Sequence, residues 1–87
     1  MSYQIRVTNA ARKSLESLPE NALPRIEIAI DNLAETPRPS GVKKLSGLKN
    51  RYRVRVGDYR IIYSVFDEIL VIEIVAVGQR GGIYKSR

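Results

Sequence analysis

Arg51-Tyr52-Arg53-Val54-Arg55-Val56-Gly57-Asp58-Tyr59-Arg60-Ile61-Ile62-Tyr63 alternates at the two-residue period of a β-strand on either side of one Gly-Asp step. Tyr52, Val54 and Val56 share one face, and Arg53 and Arg55 share the other. Gly57-Asp58, with glycine first, has the pattern of a two-residue type II′ turn. A turn of fixed length sets the strand register. Val56 then faces Tyr59, Arg55 faces Arg60, Val54 faces Ile61 and Arg53 faces Ile62. Two arginines are expected directly across from one another, with a third two residues along. Like charges in a cross-strand pair destabilise a sheet. A cluster retained against that penalty points to a polyanionic ligand.

Downstream, Ile69 to Val77 is expected to form another strand, entered by a turn at Asp67-Glu68. Carrying the register through, Tyr52, Val54, Val56, Tyr59, Ile61, Tyr63, Val65, Leu70, Ile72, Ile74 and Ala76 project from one apolar side. That side is suited to receive helices. The opposite side carries Arg53, Arg55 and Arg60 at one end. Along the rest of that side lie Ile62, Ser64, Phe66, Ile69, Val71, Glu73, Val75 and Val77, and its other end is apolar over an area large enough to be a protein-docking surface.

Upstream, Tyr3 to Val7 alternates as a short strand. Thr8 or Asn9 can cap a following helix, which carries Leu15 and Leu18 and ends at Pro19. A second helix is predicted from about Glu20 to Glu35, with Leu23, Ile26, Ile30 and Leu33 on one face. Pro24 is tolerated near the first turn, where its missing N–H has no partner to lose. Thr36 to Gly41 is a loop with two prolines, and Val42 to Lys49 is a basic connector. The expected fold is α+β: an N-terminal strand, a two-helix hairpin, then a three-stranded antiparallel sheet with both helices on one sheet face. Residues 1–87 are expected to form a single domain.

Composition narrows the chemistry. The chain has no cysteine and no histidine. Thiolate nucleophiles, disulfides, imidazole bases and the commonest metal ligands are therefore excluded. No apolar run is long enough to cross a membrane and no signal pattern opens the chain, so a soluble cytoplasmic protein is expected. Residues 1–42 are electrically balanced, and the whole net charge of +6 lies in residues 43–87. A basic half of this kind favours nucleic acid, because neutralising phosphates releases counterions.

These features resemble the RelE toxins of bacterial toxin–antitoxin pairs, in the wider RelE/ParE superfamily. The resemblance covers nearly the whole chain. It rests on Lys44-Leu45-x-Gly47-Leu48, on Tyr52 to Tyr63, on Val77-Gly78-Gln79-Arg80 and on Tyr84. It implies a RelE-like β-α-α-β-β-β fold and the toxin of a type II system. It also implies cleavage of messenger RNA in the ribosomal A site, inhibiting translation, without metal or cofactor. By the same resemblance Arg53 and Arg55 occupy the two basic positions before the hairpin turn. Arg60 matches the arginine on the scissile phosphate, Arg80 the arginine near the leaving group, and Tyr84 the tyrosine that stacks on the attacked nucleotide. Lys43, Lys44, Lys49, Arg51 and Lys85 are candidate RNA-binding residues around them. Implied partners are an acidic, partly disordered antitoxin that folds on binding, the ribosome, and operator DNA through the toxin–antitoxin complex.

The chemistry is coherent on its own terms. RNA carries its nucleophile, the 2′-hydroxyl. Guanidinium groups bind phosphate oxygens bidentately and stay charged, so they suit a pentacoordinate phosphate. They are poor proton acceptors. The family often has lysines where this chain has Arg53 and Arg55, which leaves Tyr84, Lys44, Lys49, Lys85 or a group of the RNA or ribosome to move the proton. The alternative is a ParE-like inhibitor of DNA gyrase that acts by binding. A third possibility is a nucleic-acid-binding module without catalysis.

Overall fold

Local chemistry sets the helix boundaries in the computed structural model, which describes residues 2–79. After strand β1 (Gln4–Val7), Thr8 adopts an extended backbone and its hydroxyl accepts from Ala11 N at 3.1 Å, which starts helix α1 (Asn9–Glu16). Helix α2 spans Leu23–Glu35, with Pro24 in its first turn. It begins three residues later than the sequence pattern suggested, because Ala22 N and Leu23 N both bond back to Pro19 O and hold residues 20–22 in a turn. Ile26, Ile30 and Leu33 are buried from the expected face of α2.

The hairpin forms in the expected register. Strand β3 (Arg51–Val56) pairs with β4 (Tyr59–Phe66), placing Arg55 opposite Arg60, Val54 opposite Ile61 and Arg53 opposite Ile62. Gly57 has φ +60°, a left-handed value that β-carbon-bearing residues avoid.

The sheet is larger than expected. Among the described residues it has five strands rather than three, in the order β1, β5 (Val71–Gln79), β4, β3, β2 (Lys43–Lys44). Strand β5 (Val71–Gln79) pairs with β1 in parallel, so the N-terminal strand joins the sheet as an edge and the sheet is mixed. At the other edge two residues of the basic connector, Lys43–Lys44, form a short strand β2 on β3. The β1–β5 pairing is non-local, and the two residues of β2 carry too little periodicity to announce a strand.

The turn before β5 also differs. Four residues, Asp67 to Leu70, make it, with Leu70 at φ +55°. The two extra residues move the register by an even number, so Ile72 and Ile74 still face the helices and are buried. An irregularity then intervenes: Tyr63 pairs with Ile74, but Ile62 pairs with Ala76. Val75 is the extra residue of a bulge, and every later side chain changes face. Val77 therefore enters the core, where Ala76 had been expected, and Ala76 lies beside Ile62 on the other side.

Helices and sheet close over Ala11, Ile26, Ile30, Leu33, Ile61, Tyr63, Val65, Ile72, Ile74 and Val77, with both helices on one sheet face. On the opposite face Ile62, Ser64 and Val71 are buried, and Arg51 Nε donates to Ser64 Oγ at 2.8 Å. The expected apolar docking area is smaller than the pattern implied, and Ile69 is its exposed member at 61%. Among the described residues no helix is long and apolar enough to cross a membrane.

Candidate nucleic-acid interface

Two like-charge pairs meet on the sheet face away from the helices. Arg55 lies opposite Arg60 across β3 and β4, and Lys43 lies opposite Arg53 across β2 and β3. All four border one open cavity of about 440 Å³, whose remaining wall is Ser40, Gly41 and Val54. Gly78 stands opposite Arg60 on β5 and adds no side chain beside it. Without the bulge at Val75, Val77 would stand in that place opposite Arg60. Taken by itself, a cross-strand pair of cations opposes folding by a few tenths of a kcal/mol to about 1 kcal/mol. Four cations around one concavity raise the local potential and favour an anion that bridges them.

The loop wall is tied down by a second cluster. Prolines 37 and 39 restrict the loop's backbone, and Gly41 at φ +85° turns the chain into β2. Tyr63, fully buried on β4, donates from its hydroxyl to Pro37 O at 2.7 Å. Arg38 holds Asp67 with a fork: one terminal nitrogen donates to Oδ2 at 2.7 Å and the other to Oδ1 at 3.4 Å. Arg38 Nε donates to the Tyr52 hydroxyl at 3.1 Å, and the Tyr3 hydroxyl donates to Asp67 Oδ1 at 2.7 Å. The Tyr52 ring stacks on Tyr63 with centroids 5.9 Å apart, and Lys44 Nζ lies 5.7 Å from the Tyr52 centroid.

These contacts perturb the groups that make them. Asp67 is held below the usual carboxylate range, first by the Arg38 hydrogen bonds and then by the Tyr3 hydroxyl. Tyr3 is pushed up, chiefly because its proton is held by Asp67. Arg38 is raised above its ordinary value, mainly by Asp67 and then by Tyr52. Burial pushes Tyr63 up to about 12.

The residues singled out in the sequence separate into groups. Arg53, Arg55, Arg60 and Lys43 come together at the cavity. Arg51 shares their face but is turned onto Ser64. Lys44 belongs to the opposite face, paired with Tyr52, and Lys49 is exposed in the β2–β3 loop. Arg80, Tyr84 and Lys85 lie outside the described residues. Ser40 and Gly41, at the cavity, and the Arg38–Asp67 pair escaped the sequence reading. The two prolines marked Thr36 to Gly41 as a loop, but nothing in the sequence said what it faced.

Comparison with known proteins gives the same picture. The family described as "ParE toxin of type II toxin-antitoxin system, parDE" matches residues 5–84. Toxin RelG of Mycobacterium tuberculosis is 33% identical over 86 residues, which cover 98% of this chain and 99% of the relative. The mRNA interferase toxin RelE of Escherichia coli K12 is 27% identical over 82 residues, covering 92% of this chain and 85% of the relative. The toxin in the crystal structure of the archaeal RelE-RelB complex from Pyrococcus horikoshii OT3 superposes with a TM-score of 0.82 at 37% identity. That match covers 93% of this chain and 98% of the other. A hairpin that gathers cations on one face of a RelE-like sheet, a family match over almost the entire length and RelE relatives above 30% identity together make this chain a RelE-type toxin of the RelE/ParE superfamily, whose members are the toxins of type II toxin–antitoxin systems.

Proposed function

We propose that the chain, acting as one domain over residues 1–87 in the cytoplasm, is a ribosome-dependent endoribonuclease that cleaves messenger RNA in the ribosomal A site and so inhibits translation. The observation that carries this reading is the pair of like-charge cross-strand contacts around one cavity. Four cations gathered around one concavity suit a polyanion. The name of the Escherichia coli relative, an mRNA interferase, supports the same reading.

The reaction is dictated by the substrate. The RNA 2′-oxygen attacks the adjacent phosphorus, forming a 2′,3′-cyclic phosphate. The bond from phosphorus to the 5′-oxygen breaks. The 2′-hydroxyl gives up one proton, and the departing 5′-oxygen gains one. Arg60, with Arg53 and Arg55, neutralises the extra charge on the pentacoordinate phosphate. Arg80 acts at the leaving group and Tyr84 stacks on the attacked nucleotide, as the family resemblance implies. Lys43, at the cavity, holds the flanking backbone with Lys49 and Lys85, whereas Lys44 lies on the opposite sheet face and Arg51 is engaged with Ser64. No metal or cofactor takes part in this scheme. Lys44, on the opposite sheet face, is removed from the reacting phosphate, so the general base lies among Tyr84, Lys49, Lys85 and groups of the RNA or ribosome.

The partner in this reading is a cognate antitoxin, supported by the RelE-RelB complexes among the similar structures. It is an acidic, partly disordered chain that orders over the cationic face. Operator DNA binding belongs to the complex.

The family description names ParE, and this favours a second reading, inhibition of DNA gyrase by binding. One experiment separates the two. Purified protein is incubated with mRNA, with and without programmed ribosomes, and with gyrase in a parallel supercoiling assay. The ribonuclease reading expects ribosome-dependent cuts that vanish in Arg60→Ala while the fold is retained. Intact RNA with inhibited gyrase would replace the first reading with the second.

A further inference from the structure

We propose that the Arg38–Asp67 ion pair, with Tyr3 and Tyr52, is a positioning device that fixes the Pro37–Lys43 segment as the second wall of the arginine cavity. The inference rests on the proposed function only in taking that cavity as a polyanion site.

Three observations lead to it. First, the contacts converge. Asp67 belongs to the β4–β5 turn, Tyr52 to β3 and Tyr3 to the start of the chain, yet all three meet at Arg38 in the loop or at its partner. Second, the loop is tied on both sides of the cavity-lining residues. Arg38 and the Tyr63–Pro37 bond hold its beginning. At its end Val42 N bonds to Pro39 O at 3.1 Å, and Lys43 pairs with Arg53. Ser40 and Gly41 lie between these ties and border the cavity. Third, the ion pair is exposed, its side chains 41% and 54% accessible. Exposed ion pairs contribute little to global stability. What four convergent groups achieve here is the placement of one loop, which presents Lys43 and Ser40 across from the arginines.

Asp67→Asn tests this directly. The substitution removes a negative charge, so by electrostatics alone the protein should bind a polyanion more tightly. Loss of the clamp predicts the reverse. Binding of a short fluorescein-labelled oligodeoxyribonucleotide, which lacks the 2′-hydroxyl, is measured alongside amide hydrogen exchange. Both are run on the full chain, as wild type, Asp67→Asn, Arg38→Met and the double variant. The expected result is exchange at Val42 faster by about tenfold or more in each single variant, with little further change in the double. Oligonucleotide affinity should fall several-fold in Asp67→Asn, with a melting shift below about 5 °C. Equal or tighter binding by Asp67→Asn, or unchanged exchange at Val42, would overturn the proposal. Absence of binding by the wild-type chain would overturn the polyanion reading of the cavity itself, and the positioning role with it.

Discussion

Replacing Tyr63 by phenylalanine removes one oxygen atom from the centre of the molecule, and with it one hydrogen bond. Tyr63 is fully buried, and its hydroxyl donates to Pro37 O at 2.7 Å. The variant keeps the ring and its stacking on Tyr52, so little packing is lost. The Pro37 carbonyl is left without its partner, which costs about 1–2 kcal/mol at neutral pH. In a domain of this size that is roughly 5–15 °C in Tm. The pH dependence is more diagnostic. Burial raises the Tyr63 pKa from 10.0 to about 12. A raised value means that the folded state holds the proton more tightly than the unfolded chain. The contribution is therefore complete below pH 10 and is lost as pH climbs towards 12. Integrated over that window the loss is about 2–3 kcal/mol. Phenylalanine has no proton to lose. The stability gap between wild type and Tyr63→Phe should be widest at pH 7–9, narrow above pH 10 and close or reverse near pH 11–12. Urea denaturation of both proteins at a series of pH values measures it, and the other tyrosines and the lysines cancel in the difference. A gap that stays constant from pH 8 to 12 would refute the burial argument. No gap at pH 7 would refute the role of the Pro37 bond.

Other consequences arise from the same contacts. Arg55→Gln relieves the pair with Arg60 and should raise stability by about 0.5 kcal/mol at low salt, the gain shrinking near ~1 M salt, while oligonucleotide affinity falls and its salt dependence flattens. A destabilised variant with undiminished oligonucleotide binding would contradict the reading of that pair. Gly57→Ala forces a β-carbon residue to φ +60°, against the Arg25 guanidinium, and should cost about 1–3 kcal/mol by chemical denaturation; a neutral outcome would mean that the turn relaxes freely. Asp67 is held below its ordinary range, so its contribution is present above the unfolded carboxylate value and is lost as pH falls through the folded one. Wild-type protection of the Val42 amide should therefore weaken in acid below about pH 4, whereas in Asp67→Asn that step should be missing. An identical acid profile in the two proteins would assign the step to another carboxylate.

The features legible in the sequence share a physical origin: they are local. Gly57-Asp58 sets a register because its two residues fix the distance between strands, and the Arg55–Arg60 pair is reached by counting outward. The stripe Ile26, Ile30 and Leu33 marks a helix face for the same reason. What could not be read depends on partners far away in the chain. The parallel docking of β1 on β5, 67 residues apart at Gln4 and Val71, leaves no mark on either segment, since an edge strand alternates whichever neighbour it finds. The bulge at Val75 occurs in a run of apolar residues that fits either face equally well, so no polar residue betrays the change of phase. The cavity shows the division most clearly. Its arginine side was visible because it breaks a rule of sheet stability within one hairpin. Its loop side was hidden because the Tyr63–Pro37 and Arg38–Asp67 bonds span 26 and 29 residues. A cationic cluster seen in a sequence thus locates the charge that a ligand meets. The opposing wall, which decides how that ligand is held, is set by bonds that only the folded chain brings together.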